Sequence, residues 1–446
     1  MLASSYVSLS DQLIMEKVNK SYSNPYFDFI LAGIDIASKY NSAFLEAAEK
    51  SFESFLNKKG ETQQKTQTDI RTSFDSTLRN CLNEDTFASS MANYVNAWTK
   101  IIPAWYDQFN DNFNFSLCEN KILEPIRDTI NRTPSEVIEM KGRFKLLHYK
   151  SEDAIVHKTP ILVIYSLINR HYILDLLPKI SVIKNLQRQG FDIYTTDWNN
   201  PTSYSHDLTL ETYAEEYVGY AVEKIKEISG SKKVSLFGYC WGGIFALIYA
   251  AMCPQNVKNL ILHATPTDIE KEETTIENWT THLNVNNLID AFGNVPGWFL
   301  NLAFVLRNPV EVLLKYPRYF SEPRNLDEIK QFFAIETWLY DSIPIIGEIY
   351  REIVEQVYRN NLLIKNKMKV GKDIIDLKNI TMPVLNIVGT EDDLVPPSAS
   401  KSVINVIGST DKKLIEFPTG HVGLCISRNA HEKLWPEVGK WLGTRS

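Results

Sequence analysis

The sequence predicts an α/β fold built on a mostly parallel sheet, and three observations point to it. From about residue 121 onward, short apolar runs recur between helical stretches. The segment from Val234 to Met252 carries no charge and breaks at a glycine-rich turn. A cysteine, an acid and a histidine then stand, in that chain order, just after three of the runs. The strand candidates are Leu146–Tyr149, Ile161–Tyr165, Phe191–Tyr194, Val234–Phe237, Leu260–Leu262, Val384–Val388 and Leu414–Ile415. Most are apolar on both faces, as strands are when helices cover the sheet from both sides.

The central element is Gly238-Tyr239-Cys240-Trp241-Gly242, between the run ending at Phe237 and the apolar stretch Gly243–Ile248. A buried strand, a tight turn with a thiol at its tip and a buried helix read this way. This is the pattern of the nucleophile elbow of α/β-hydrolases, with cysteine in place of the usual serine. The flanking positions must be small for strand and helix to approach each other, and Gly238 and Gly242 meet that need. A thiol at the start of a helix sits where the dipole favours thiolate, and the Trp241 N–H is free to face an oxyanion. The competing reading is a transmembrane helix over Val234–Met252, which three glycines in mid-run oppose.

An elbow needs a base and an orienting acid, which follow the nucleophile in the order acid, then histidine. Glu391-Asp392-Asp393 follows the run ending at Val388, and Gly420-His421-Val422-Gly423 follows the one around Leu414. Taken alone, an acidic cluster is an ordinary exposed loop and a loop histidine an ordinary solvated one. Order and strand context together read as a triad of Cys240, Asp392 and His421, with Asp393 as the competing acid.

These segments resemble the polyhydroxyalkanoate synthases, above all the short-chain class III type and its class IV relatives. The likeness runs from about Asn131 to the C-terminus. It is carried by Thr133–Val137, Tyr165–Arg170, Thr196–Trp198, Gly238–Gly243, Asn294–Gly297, Asp392–Pro397 and Gly420–Gly423, in matching order. In the family a histidine follows the acid, so the resemblance makes Asp392 the acid and places Asp393 where that histidine would stand. It also makes Ile168 N–H the second oxyanion donor. The implied substrate is an (R)-3-hydroxyacyl-coenzyme A, polymerised to a polyester with release of coenzyme A (CoA) through an acyl group on the cysteine. No metal or redox cofactor is implied. The implied partners are the growing polyester and its granule surface, a second copy in a homodimer, and a helical accessory subunit. Two other readings are a cysteine-based hydrolase of the dienelactone type and an inactive granule-coating scaffold.

The composition agrees. A chain of 446 residues, 44% of them hydrophobic, is long enough for two domains. A net charge of −7 opposes nucleic acid as a partner. The start Met1–Tyr6 has neither a basic region nor an apolar core, and the five cysteines form no paired framework, so a cytoplasmic, granule-associated protein is expected. Cys81, Cys118, Cys253 and Cys425 read as small apolar fillers, the eight histidines show no metal-ligand spacing, and Gly371-Lys372 reads as a turn.

The remaining expectations concern organisation. Before residue 120 the apolar positions Phe44, Ala48, Phe52, Phe55, then Ile70, Phe74, Leu78, then Phe87, Met91, Tyr94, Trp98 recur at helical spacing. An all-α region over 1–120, serving assembly or granule attachment, is therefore expected ahead of a catalytic domain over 121–446. The span 268–378 lies between two core strands and is crowded with aromatic residues such as Trp279, Phe299, Phe332 and Trp338. It is expected to form a large cap over the site, partly from its own aromatic core.

Overall fold

The computed structural model describes residues 132–201, 208–271, 280, 283–307, 315, 319 and 326–446. Residues 125–307 and 324–446 form one compact unit, to which the sheet, the site and the helices discussed below belong. The helices expected over 1–120 lie outside the described residues, as do Cys81 and Cys118.

Eight strands make one sheet. They are β1 (Ser135–Lys141), β2 (Phe144–Tyr149), β3 (Ile161–Ile164), β4 (Ile193–Asp197), β5 (Val234–Tyr239), β6 (Val257–His263), β7 (Val384–Gly389) and β8 (Lys412–Phe417). Their order across the sheet is β1-β2-β4-β3-β5-β6-β7-β8. Six of them, from β4 to β8 in that order, run parallel, and only β2 is antiparallel to its neighbours β1 and β4. This is the α/β-hydrolase fold that the alternation of apolar runs and helices predicts.

Burial explains which strands the sequence reveals. All residues of β3, β5 and β7 are buried, because helices cover both faces, and these strands read as continuous apolar runs. β1 is not marked by such a run: it forms the sheet edge, and Val137 and Met140 are exposed. Val234–Met252 divides into β5 and a helix, α3, so the transmembrane reading does not hold.

Helices α1 (Val182–Arg188), α2 (Val218–Ser229), α3 (Trp241–Met252) and, near the C-terminus, α8 (Trp435–Gly443) flank the sheet. Ser181 caps α1 by accepting from Lys184 N at 2.9 Å. Eleven of the twelve residues of α3 are buried, which accounts for a helix with no charge on any face. Between β6 and β7 the chain forms α4 (Val285–Phe292), α5 (Gly297–Arg307), α6 (Leu326–Tyr340) and α7 (Gly347–Ile353). A backbone bridge between Val295 and Ile345, at 2.8 and 2.9 Å, joins two of the connecting segments. Trp338 is buried among these helices, whereas Phe292 is half exposed, so the aromatic residues of this span divide between core and surface. Gly371 and Lys372 form the turn of a small hairpin between Lys369–Val370 and Asp373–Ile374. Among the described residues, no helix is long and apolar enough to cross a membrane.

Candidate active site

The parallel register places the ends of five strands side by side. Ile164 pairs with Gly238, Tyr239 with His263, His263 with Ile387 and Gly389 with Phe417. The loops that leave these ends carry Ser166–Arg170, Cys240, Ala264, Asp392 and His421. Crevices outside the carboxyl ends of such strands are the usual place for ligands in this class of fold.

Cys240 stands at the elbow in a backbone conformation that few non-glycine residues adopt, φ 53° and ψ −123°. The surroundings impose it. Its N–H donates to His263 O and its O accepts from Gly243 N, both at 2.9 Å. A Cβ on Gly238 would lie 2.4 Å from Gly243 Cα, and one on Gly242 would lie 2.0 Å from Ile164 O. The turn therefore closes only with glycine at both positions. Cys240 is the N-cap residue of α3, and Trp241, the first residue inside the helix, has a backbone N–H with no intrahelical acceptor.

His421 Nδ1 lies 2.7 Å from Asp392 Oδ2. The other oxygen, Asp392 Oδ1, accepts from Leu394 N at 3.0 Å and Val395 N at 2.8 Å, so both carboxylate oxygens are occupied and the group is buried. Asp393, one residue on, is exposed and pairs with Arg307 Nη1 at 2.7 Å. Thus Asp392, and not Asp393, reaches the histidine. Burial opposes a charge on the His421 ring, yet the Asp392 carboxylate and the Cys240 sulfur outweigh it and raise the imidazole to about 10. With Nδ1 turned to Asp392, Nε2 is the nitrogen left for Cys240.

A second histidine behaves in the opposite way. His263 is fully buried, neither of its ring nitrogens has a partner among the described residues, and burial together with the His421 charge holds it well below its usual range. It stays neutral, and its contribution to the elbow is its backbone carbonyl. The Tyr239 ring lies between the two imidazoles, 4.7 Å from His263 and 5.3 Å from His421. Cys425 is buried beside the Tyr239 hydroxyl and its thiol is pushed up by burial, as suits a filler.

The loop after β3 carries Ile168, whose N–H donates to Ser166 Oγ at 3.2 Å, a long bond within the loop. Asn169 follows with φ 61°. Four residues that shape the site were not singled out in the sequence: Asn169, His263, Arg307 and Tyr358. Tyr358 accepts a hydrogen bond from Trp241 Nε1 at 2.9 Å. The tolerance of asparagine for positive φ is a weak signal for Asn169, and the other three have none.

Comparison with known proteins agrees with the fold. A family model for the alpha/beta hydrolase fold matches residues 159–425. A second, for the N-terminus of poly-beta-hydroxybutyrate polymerase (PhaC), matches residues 17–186, so the family likeness reaches well before residue 120. A poly(3-hydroxyalkanoate) polymerase subunit PhaC from Allochromatium vinosum is 33% identical over 316 residues, covering 70% of this chain and 89% of that protein. This chain belongs to the poly(3-hydroxyalkanoate) polymerase family. The same-named subunit of Haloferax mediterranei is 39% identical over 321 residues, 71% of this chain and 65% of its own length. That of Rhizobium meliloti is 25% identical over 445 residues, covering 94% of this chain. The chain is thus a member of a family of polymerising, acyl-transferring enzymes on the α/β-hydrolase fold.

Proposed function

We propose that this polymerase-family chain joins (R)-3-hydroxyacyl units from CoA thioesters into a polyester, through an acyl group carried on Cys240. The observation that supports it most is the Asp392–His421 pair, at 2.7 Å, beside a cysteine held at a glycine-closed elbow. The Cys240 proton rests on Nε2 of His421, which is an imidazolium at neutral pH, and Cys240 Sγ attacks the thioester carbonyl carbon as the thiolate. The carbonyl oxygen, now carrying the charge, is held by the N–H groups of Trp241 and Ile168. The bond from carbon to the CoA sulfur breaks, and the imidazolium returns the proton to that sulfur. A ring held to about 10 keeps this proton at neutral pH until the leaving group needs it.

Elongation repeats the exchange with oxygen as nucleophile. The 3-hydroxyl of a second unit attacks the Cys240 thioester, an ester forms and the cysteine sulfur is released. His421 suits the role of base for that hydroxyl, because both oxygens of Asp392 are already hydrogen-bonded. Cysteine suits the task because exchanging one thioester for another costs little free energy and keeps the acyl group activated. These steps balance without a metal or redox cofactor.

The wider assignments are part of the same reading: a cytoplasmic protein at the granule surface, a homodimer, and residues 1–120 serving assembly or attachment in place of, or together with, a helical accessory subunit. Residues 268–378 act as a cap domain over the site. The test is to supply the purified chain with 3-hydroxybutyryl-CoA and to follow thiol release together with insoluble polyester. Release of both supports polymerisation. Release of CoA with only soluble acid would make the chain a hydrolase, and release of neither would make it a scaffold.

A further inference from the structure

The oxyanion loop after β3 is not held by the sheet alone. Asn169, buried next to Ile168, donates from its side-chain amide to Trp338 O at 3.0 Å, Leu339 O at 2.9 Å and Ser342 Oγ at 3.1 Å, at and just beyond the C-terminal end of α6. Two of the three are carbonyls, which can only accept, so this end of the amide is the NH2 group. The contact is anchored on the other side as well. Ser342 Oγ donates to Asn301 Oδ1 at 2.5 Å, and Asn301 Nδ2 donates to Tyr340 O at 3.2 Å, which ties α5 into the same cluster.

The loop answers with contacts of its own. Trp338 Nε1 donates to Arg170 O at 2.8 Å, and Arg170 Nε and Tyr172 Oη both reach the Asp341 carboxylate, at 3.3 and 3.0 Å. Residues 169–172 are thereby fastened to 338–342 by polar side chains, and among the described residues the only hydrogen bond of the Ile168 N–H is the long one to Ser166 Oγ. A loop aimed in this way, with its donor N–H nearly free, lacks the backbone ladder that fixes Trp241 at the elbow.

We infer that Asn169 is a positioning residue: its amide ties the oxyanion loop to the end of α6, so the seating of the α5–α6 helices sets where the Ile168 N–H points. The inference rests on the acyl-transfer reading of Cys240, but not on which thioester is used. A donor displaced by about 1 Å from a developing oxyanion forfeits on the order of 10²-fold in rate. Substrate binding and the reactivity of the sulfur itself need not change. This separates positioning from general structural support.

The experiment compares two reactions of Cys240 in the full-length chain. Acylation by p-nitrophenyl acetate, read as a burst of p-nitrophenolate, passes through an oxyanion; alkylation by iodoacetamide does not. Asn169→Gly removes the amide and accepts the positive φ, and it should slow the burst by about 10²-fold while alkylation stays within about twofold. Ser342→Ala removes one of three acceptors and should slow the burst less, in the same direction. If Asn169→Gly is poorly folded by near-UV circular dichroism, Ser342→Ala and Trp338→Phe carry the test. A fall in both reactions together, or in neither, overturns the inference. A wild-type burst without CoA release from 3-hydroxybutyryl-CoA would overturn the polymerase reading and leave the positioning role standing. A wild type with no burst at all would overturn both.

Discussion

The two oxyanion donors proposed for this site are held in different ways. Trp241 N–H is fixed by main chain: a strand end, a helix start and two glycines whose hydrogens leave no room for a methyl group. Ile168 N–H is positioned by side-chain hydrogen bonds between its own loop, through Asn169, and a separate group of helices. The first arrangement cannot shift without breaking the sheet. The second depends on where α5 and α6 sit. On the proposed function, the difference is between a nucleophile held by local sterics and an oxyanion donor whose place depends on tertiary packing.

Mutation distinguishes the two sides of the site, and the largest effects belong on the elbow side. Cys240→Ala should reduce CoA release to background while the unfolding transition stays in place, since only a sulfur atom is lost; turnover near the wild-type rate would refute the assignment. Asp392→Asn should lower turnover by about 10⁴-fold, the scale associated with a triad acid that sets the histidine tautomer. For Asp393→Asn, whose carboxylate is exposed and paired with Arg307, less than about threefold is expected. Steady-state rates of the two variants side by side decide between the neighbours, and a reversal would move the acid by one residue.

Gly242→Ala probes the main-chain side directly. Its new methyl group would collide with Ile164 O, and a backbone carbonyl in a central strand cannot step aside, so a loss of about 3 kcal/mol or more is expected in urea unfolding. A variant as stable as wild type would show that the elbow is less constrained than its geometry indicates.

A smaller effect lies in pH. The folded His421 ring is raised from 6.5 to about 10, so folding favours the protonated form. The stability this contributes is fully present below pH about 6.5, falls as pH rises, and is gone above about 10. Unfolding curves of wild type and His421→Gln at pH 6, 8 and 10 should therefore converge as pH increases. In Cys240→Ala the imidazole should titrate lower, because the sulfur's share of the shift is lost, and an NMR titration of the ring reads this. The smallest effect is expected for Arg307→Gln: an ion pair with an exposed carboxylate is worth about 0–1 kcal/mol, and thermal unfolding should barely change.

Much of this site is legible in the chain because the elbow is a local structure. Six strand residues, Gly238 among them, one thiol and a second glycine lie within Val234–Gly242, and the steric demand that links them acts between near neighbours. The parallel strands are also legible, since burial on both faces excludes polar residues from β3, β5 and β7 almost entirely. The edge strand β1 is not: its partners supply hydrogen bonds from one side only, and its side chains meet solvent.

Sequence by itself determined the order of cysteine, acid and histidine, the glycines around the thiol, and the fact that each follows a strand. Tertiary structure alone decided which of two adjacent aspartates turns inward: Asp392 is chosen by the N–H groups of Leu394 and Val395 and by a histidine 29 residues away, whereas Arg307 draws Asp393 outward. It likewise decided that Asn169 meets Trp338, Leu339 and Ser342, more than 160 residues further along. The physical reason is the same in both cases. Sterics and backbone dihedrals act between neighbours and leave a mark on residue choice at fixed spacing, whereas a buried polar side chain takes its partner from whichever element the packed core brings within 3 Å.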